Sequence, residues 1–282
     1  MRFLVITLFC CCPFFSMGAR GVYHSWDAAL ENKEKVRVIR ISHAGLDSIP
    51  DILDQFPNLE ILDLNHNRIT SMPASFAACK KLEELNLFQN RLSEIPETIG
   101  KITTLKSIVI SQNNLKVLPD AICDLPVLEN LLANSNELEQ LPENIGNLKS
   151  LRRLRVAINR LVQVPTSIGR LGKLELLDLS NNLLEAIPET IGNLTKLKFL
   201  YLGRNRLSRL PESLGKCKML QELDVVRSGV LQLPASLADL PRLDLVYIDD
   251  RTTPFYPNPA FYRTQKIITI YNDDLYPYRR SH

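Results

Sequence analysis

Residues 174–196, which read LELLDLSNNLLEAIPETIGNLTK, contain one complete copy of a 23-residue pattern that recurs along most of the chain. The pattern's leading leucine, its asparagine and its proline return every 23 residues with no insertion or deletion. Nine complete units occupy residues 36–242, and a tenth begins at Leu243 and then decays. A fixed period of this length is typical of solenoids, in which each repeat packs only against its neighbours.

The unit reads LxxLxLxxNxLxxLPxxIGxLxx, and each part predicts a local structure. The alternating LxL segment favours a short strand with its leucines on the buried face. A buried asparagine side chain would bond backbone groups of the turn that follows. Proline favours an extended stretch, and the IGxLxx segment predicts a short helix or 3₁₀ turn on the return path. Its glycines, such as Gly100, would allow close approach of neighbouring backbones.

One such unit cannot bury its own leucines, so the units are predicted to stack with their strands in one parallel sheet. The pattern resembles the leucine-rich-repeat family. Its LPxxIGxLxxL half is similar to repeats of Ras-suppressor and Scribble-type proteins and of many bacterial secreted repeat proteins. The resemblance covers residues 36 to about 250. It implies an α/β solenoid of horseshoe shape, with a parallel sheet on the concave side, short helices or 3₁₀ turns on the convex side, and macromolecular recognition on the concave face.

The two ends of the chain differ from the repeats. Residues 1–18 combine Arg2, an apolar run and small residues, which indicates a cleaved secretory signal peptide. Residues 19–35 predict an N-terminal cap helix, with Ser25 as its N-cap and with Trp26 laid over the first coil. Residues 36–250 form the predicted solenoid. Residues 251–282 are interpreted as a C-terminal cap that ends the stack, and residues 266–271 alternate like a last strand.

The cysteines bear on export. Cys10, Cys11 and Cys12 lie in the signal-like segment, and a lipid anchor on one of them is the minor alternative. Three cysteines remain after signal removal, and they occupy apolar or glycine slots of the repeat. We therefore expect buried fillers and not disulfides. An odd number of cysteines argues against cysteine-rich caps and favours a bacterial exported protein. We expect this protein to be periplasmic, on the cell surface or secreted. We expect no transmembrane segment after signal removal.

Composition and motifs argue against catalysis and against nucleic-acid binding. The chain has 34 basic and 31 acidic residues, so its formal net charge is only +3. The sequence lacks GxSxG, HExxH, GxGxxG and phosphate-loop patterns. We therefore expect a non-enzymatic protein that needs no cofactor and no metal, and that is a monomer.

Two histidines raise a metal site as an alternative. His43 and His66 are 23 residues apart, so they occupy the same place on adjacent coils, near Asp63. Two imidazoles without a clear third and fourth ligand fall short of a metal site. The sequence favours two turn residues in contact with solvent.

The outward strand positions supply the candidate binding residues. One column alternates in charge from Glu83 to Lys198, which is typical of a solubilising ladder. Other outward residues are apolar or aromatic, with arginines between them, as at interface hot spots. The predicted partner-binding residues are Phe88, Val109, Leu132, Arg153, Arg155, Asp178, Phe199, Tyr201 and Val226.

The predicted function is therefore an exported recognition module that binds a protein partner on its concave face. The alternative is a surface receptor for carbohydrate or an envelope polymer, in which Phe199 and Tyr201 stack on a sugar that hydrogen-bonds to Asp178. A glycan would then replace the protein as the partner. A purely structural role, with no partner, is a third possibility.

Overall fold

The computed structural model describes residues 21–230 and 232–249 in full and the backbone of residues 266–270. The predicted signal peptide, Cys10 to Cys12 and most of the predicted C-terminal cap lie outside the described residues. Twelve strands form one open sheet whose order follows the chain, and every neighbouring pair is parallel. The strands are β1 Val22–Tyr23, β2 Val38–Arg40, β3 Ile61–Asp63, β4 Glu84–Asn86, β5 Ser107–Val109, β6 Asn130–Leu132, β7 Arg153–Arg155, β8 Leu176–Asp178, β9 Phe199–Tyr201, β10 Glu222–Asp224, β11 Leu245–Asp249 and β12 Lys266–Ile270.

Short 3₁₀ helices lie on the opposite side of each coil, as the IGxLxx segment predicts. Most begin directly after the repeated proline, whose backbone is extended, with φ near −65° to −74° and ψ of 141° to 161°. The 3₁₀ helices are Lys33–Lys35, Leu53–Gln55, Ala74–Ala78, Glu97–Lys101, Asp120–Asp124, Ile145–Asn147, Thr166–Arg170, Glu189–Asn193, Glu212–Lys216 and Ala235–Asp239. These results confirm the leucine-rich-repeat solenoid predicted from the sequence.

The core is one continuous column of aliphatic side chains between the sheet and the 3₁₀ helices. The middle residue of each strand from β2 to β10 points into this core and is at most 1% exposed. The glycine column lets neighbouring coils approach closely, since a Cβ on Gly146 would lie 2.1 Å from the carbonyl oxygen of Ser167. A side chain at that glycine would push the coils apart.

The side chains of the repeated asparagines bond each coil to the preceding one. Asn159 is 9% exposed. Its Oδ1 accepts a bond of 2.9 Å from the Leu138 backbone N–H in the preceding coil. Its Nδ2 donates at 3.0 Å to the carbonyl oxygens of Ala133 and Val156. The same set of bonds recurs at Asn90, Asn113, Asn136, Asn182 and Asn205. The predicted role of this asparagine is confirmed.

The residue before each asparagine slot has a left-handed backbone, which the sequence analysis did not predict. Nine non-glycine residues have φ between 53° and 57°. They are His43, His66, Gln89, Gln112, Ser135, Ile158, Asn181, Arg204 and Arg227. This turn ends the strand and brings the asparagine side chain back under the sheet. Ile158 is unusual among them, because a β-branched residue rarely adopts this conformation.

At the N-terminal end, a helix, α1, spans Trp26–Leu30. The Ser25 Oγ accepts a hydrogen bond of 3.3 Å from the Ala28 backbone N–H, as expected of an N-cap. Trp26 and Leu30 pack against the core, and Ala29 is fully buried. At the other end, β12 pairs in parallel with β11, which confirms the strand predicted near residue 266.

The three cysteines within the repeats are free and buried, as predicted. Burial raises the pKa of the Cys79 and Cys123 thiols to about 12, and that of Cys217 to about 11. A thiol with such a pKa stays protonated and is a poor nucleophile. These side chains act as small apolar fillers of the core.

Candidate functional face of the sheet

The side chains at the first and third positions of each three-residue strand point away from the core, onto the concave face. Because the strands are in register, these positions form two rows across the sheet. We call them the first row and the third row. The third row includes Val109, Leu132, Arg155, Asp178 and Tyr201, which are direct partners on β5 to β9. The sequence therefore placed five of the nine predicted binding residues in one line.

Val109 and Leu132 form the apolar part of the third row. Both are half-buried, although the middle residues of their strands, Ile108 and Leu131, are at most 1% exposed. An aliphatic side chain on the outward face of a sheet has no core to join. Its remaining apolar surface is available to another molecule.

Arg155 and Asp178 form an ion pair at the centre of the third row. The Arg155 Nη2 lies 3.0 Å from the Asp178 Oδ2, and its Nε donates to the same oxygen at 3.2 Å. The other carboxylate oxygen of Asp178 accepts from the Ser180 hydroxyl at 2.6 Å. The Asp178 side chain is 5% exposed, against 37% for Arg155. Asp178 therefore orients Arg155 and offers little surface of its own.

Tyr201 lies among carboxylates at the C-terminal end of this row. It hydrogen-bonds to Glu222 on the next strand, and burial together with the charges of Glu222 and Asp178 raises its pKa. Burial is also the main cause that raises the pKa of Asp224 to about 6, and Asp178 and Glu222 add to it. The Val226 backbone N–H opposes this rise, because it donates to the Asp224 Oδ1 at 2.8 Å. The Asp224 carboxyl therefore stays protonated to a higher pH than an ordinary aspartate.

The first row carries Arg153 and Phe199, and between them lies Leu176, which the sequence analysis missed. Arg153 is exposed, and its Nη1 donates to the Asn130 Oδ1 at 3.3 Å. Phe199 and Leu176 are half-buried. The 23-residue spacing from Arg153 to Leu176 is the signal in the sequence that could have identified this residue as outward.

Phe88 and Val226 are corrections to the sequence analysis, which placed them on strands. Each lies two residues beyond the end of its strand, because the left-handed turn begins at the next residue. The Phe88 ring contacts His66 edge to face, with centroids 5.2 Å apart. Both side chains remain half-buried on the edge of the same face. They flank the third row and do not belong to it.

His43 and His66 stack on each other, with ring centroids 4.2 Å apart and an interplanar angle of 25°. Asp63 does not join them, because its Oδ1 accepts from the Asn65 side chain at 2.6 Å. Among the described residues, no group of three histidine, cysteine or acidic side chains is arranged to hold a metal ion. The pair lines an open hollow together with Gly45 and Gln89.

The charge-alternating column at the start of the strands forms the predicted ladder. Glu175 accepts from Arg152 at 3.0 Å on one side and from Lys198 at 2.6 Å on the other. Both bonds lower the pKa of Glu175. Lys106 and Glu83 pair at 2.6 Å. These exposed pairs neutralise one another, so this column stands beside the candidate face without adding net charge to it.

Within the described residues, no helix is long and apolar enough to span a membrane.

The family model of the leucine-rich repeat matches residues 34–92 and 149–207 of the sequence. No curated protein matches the sequence as a relative. Solved structures of similar fold include a leucine-rich-repeat protein of Leptospira interrogans. That protein is 25% identical with a TM-score of 0.56, over 87% of this chain and 81% of that one.

Two plant structures are also similar. The leucine-rich-repeat ectodomain of the Arabidopsis thaliana membrane receptor kinase GASSHO1/SCHENGEN3, in complex with Casparian strip integrity factor 2, is 27% identical with a TM-score of 0.68. The match covers 82% of this chain but 29% of the ectodomain, so this chain spans less than a third of its length. A TDR receptor shares the fold at 22% identity and a TM-score of 0.71, over 89% and 49% of the two chains. The matching repeats and the shared fold agree with the 23-residue pattern: the chain has the leucine-rich-repeat fold.

Proposed function

We propose that this protein is an exported, non-enzymatic recognition module that binds a protein partner on the concave face of its sheet. The observation that carries the proposal is the apolar surface left on that face by Val109, Leu132, Leu176 and Phe199. These side chains point away from the core yet are large and apolar. Burying them against a partner would be favourable by roughly 25 cal/mol per Å² of apolar area.

The rest of the face supplies the polar contacts that specificity needs. Arg155 is held by Asp178, so its planar guanidinium is oriented before a partner arrives. A pre-oriented arginine loses less side-chain entropy on binding than a free one. Tyr201 lies next to it on the third row. Aromatic residues beside arginine are typical of the centres of protein interfaces.

The comparisons support a recognition role in general terms. Leucine-rich-repeat proteins are generally interaction proteins without catalytic activity. The Arabidopsis ectodomain was solved in complex with a protein factor. Export is supported by the sequence of residues 1–18, which has the charge and apolar run of a secretory signal.

The carbohydrate alternative is weakened by the position of Asp178. That alternative needs a free carboxylate beside Phe199 and Tyr201 to bond a sugar hydroxyl. Asp178 is 4% exposed, and both of its oxygens already accept bonds from Arg155 and Ser180. A sugar would have to displace these bonds, so we favour the protein partner.

Affinity capture from extracts of the source cell and its surroundings tests the proposal. The binding variant carries Val109→Ser, Leu132→Ser and Phe199→Ser, which remove apolar surface from the concave face and leave the Arg155–Asp178 pair intact. We expect the wild-type protein to capture a partner that the variant loses. Mass spectrometry identifies the partner, and titration calorimetry with the purified pair should give at least tenfold weaker binding for the variant.

The matched control carries Val117→Ser, Val127→Ser and Val162→Ser, at residues that are 39% to 56% exposed and lie outside the concave rows. It removes a similar amount of apolar surface elsewhere. We expect it to bind like the wild type. A partner lost equally by both variants, or kept by both, would place its binding site elsewhere and refute the concave-face proposal.

A further inference from the structure

One edge of the solenoid carries a row of cations that the proposed function does not use. In five successive coils, the two-residue turn that follows the 3₁₀ helix contains one basic residue and no acidic one. We call this row the basic edge. Its members are Lys149, Lys173, Lys196, Lys218 and Arg242. All five side chains are exposed.

The surroundings of the basic edge strengthen its charge. The five six-residue segments 147–152, 170–175, 193–198, 216–221 and 239–244 contain nine basic residues and three acidic ones. Their net charge of +6 exceeds that of the whole chain, which is +3. The rest of the protein is therefore net negative, and the positive charge is concentrated on this edge. Such a field attracts anions and speeds their association.

No member of the basic edge forms an ion pair with another described residue. The Lys149 Nζ donates to the carbonyl oxygen of Gly146 at 2.7 Å, and the Lys218 Nζ donates to that of Asp239 at 3.3 Å. These bonds satisfy carbonyl groups at the ends of 3₁₀ helices. They leave the charge uncompensated.

Helix capping therefore accounts for two members of the row but not for the others. Lys173 and Lys196 donate no side-chain hydrogen bond to any residue of the described segments, and their neighbours in the row repeat the same charge. Placing like charges on successive coils costs stability, because they repel. The charge-alternating ladder one column away shows that the same coils can neutralise their charges. The row is better explained by an external anion.

We propose that the basic edge binds a linear polyanion of the acidic polysaccharide class. Successive coils are about 4.8 Å apart, so the five cations form a line of roughly 19 Å. The cations occupy the first or the second residue of the turn, so they follow one another at roughly the coil spacing. Such a line fits a chain whose anionic groups repeat along its length. Contact with several cations releases several counterions, which makes such binding strong at low salt and weak at high salt.

The chemistry of the edge favours a polysaccharide over other polyanions. The five segments contain no aromatic residue, so bases of a single-stranded nucleic acid would have no ring to stack on. The carboxylates of Glu175, Asp239 and Asp244 lie in the same segments as the cations. These carboxylates would also repel a flat anionic membrane.

Binding of purified full-length protein to immobilised heparin, a sulfated polysaccharide, tests this proposal. We expect retention at low salt and elution as NaCl is raised. The edge variant combines Lys149→Gln, Lys173→Gln, Lys196→Gln and Lys218→Gln. We expect it to bind heparin at least tenfold more weakly at about 0.1 M NaCl, and to show a shallower dependence of log affinity on log salt.

The matched control combines Arg68→Gln, Arg91→Gln, Lys116→Gln and Arg209→Gln. These exposed residues lie on the opposite edge of the coils. Their substitution removes as much positive charge as the edge variant does. We expect the control to bind like the wild type. Equal losses in both variants would show that net charge alone is sensed, and would overturn the proposal.

A double variant tests the same row and is less liable to misfold than the quadruple edge variant. Lys173→Gln with Lys196→Gln removes no hydrogen bond of the described chain and relieves repulsion between like charges, so its melting temperature should be at least that of the wild type while heparin binding weakens severalfold. Unchanged heparin binding in this variant would overturn the proposal. So would the failure of the wild type to bind heparin or a polyuronate, or equal binding to a single-stranded oligonucleotide or to phosphatidylserine vesicles.

This proposal is independent of the concave-face proposal, since the two surfaces share no residue. The concave-face variant should retain heparin binding, and the edge variant should retain capture of the protein partner. Loss of one activity alone identifies which of the two proposals has failed.

Discussion

The asparagine column and the third row of the concave face both repeat every 23 residues. The residue type is constant in the column and varies in the row. From Asn67 to Asn205 the column repeats one residue and one set of bonds in seven coils. The third row changes with every strand, from Val109 to Leu132, Arg155 and then Asp178. The difference follows from what each position contacts. The asparagine meets the same backbone groups in every coil, whereas the third row points away from the core and has no such repeated set of partners.

This contrast separates stability from recognition in the same coil. A change at an inward position should alter the stability of the protein. The molecules that remain folded should still bind the partner. A change at an outward apolar residue should weaken binding and have little effect on stability. The largely buried carboxyl of Asp224 is the exception, because its charge opposes folding. The four predictions below test that division, beginning with the largest expected effect.

Leu154→Ala removes the inward middle residue of β7, which is 0% exposed. We expect a loss of about 2–5 kcal/mol in the free energy of unfolding, because the surrounding coils relax only partly around the cavity. Urea denaturation followed by circular dichroism measures it. A loss below about 1 kcal/mol would contradict the inward assignment of this residue.

Asn136→Ala tests the bonds of the asparagine column. The change leaves the Leu115 N–H and the carbonyl oxygens of Ile110 and Ala133 without their side-chain partner. We expect a cost of about 1–3 kcal/mol. The control is Asn114→Ala at an exposed position outside the column, with an expected change within about 0.5 kcal/mol. Equal effects in the two variants would disprove the special role of the column.

Asp224→Asn tests the charged end of the concave face. The fold raises the Asp224 pKa from 3.8 to about 6, so the ionised form opposes folding. This destabilisation is absent below the ordinary pKa and complete above pH 6. We expect the variant to gain roughly 1–2 kcal/mol over the wild type at pH 7.5 and little at pH 3.5. Thermal unfolding across this pH range measures the gain, and a gain that grows toward acid would be the wrong sign.

Leu132→Ser should have the smallest effect on stability. Leu132 is outward and half-buried on β6, so we expect a loss below about 1 kcal/mol. We expect partner binding to weaken far more than this change in stability. The comparison with Leu154→Ala uses leucines on the two faces of one sheet. A Leu132→Ser variant as unstable as Leu154→Ala would show that the concave face is part of the core.

The fold was predictable because the repeat makes each local rule appear many times. One leucine predicts little, but the same leucine at the same place in nine units fixes the strand, its inward face and its parallel neighbours. The turn was not predicted in detail. Residues as different as His66, Gln89 and Ile158 all adopt the left-handed backbone, so residue type gave no signal there.

The candidate face was predicted in its position and only partly in its chemistry. The spacing placed Val109, Leu132 and Tyr201 in one row, and the structure confirms that arrangement. The spacing placed Arg155 opposite Asp178, but it could not show how far Asp178 is buried, because that depends on how closely the Arg155 side chain of the preceding strand packs against it. It also placed Phe88 on a strand that ends before it.

The sequence by itself determined the solenoid, the order of its strands, its core and the column of asparagines, because these depend on a period that the chain states repeatedly. The tertiary structure decided which outward side chains remain available. It buried Asp178 against Arg155 and raised the Asp224 pKa, and it left the basic edge without carboxylate partners in the described chain. Availability depends on distances between side chains of different coils, and a one-dimensional pattern specifies the neighbours but not those distances.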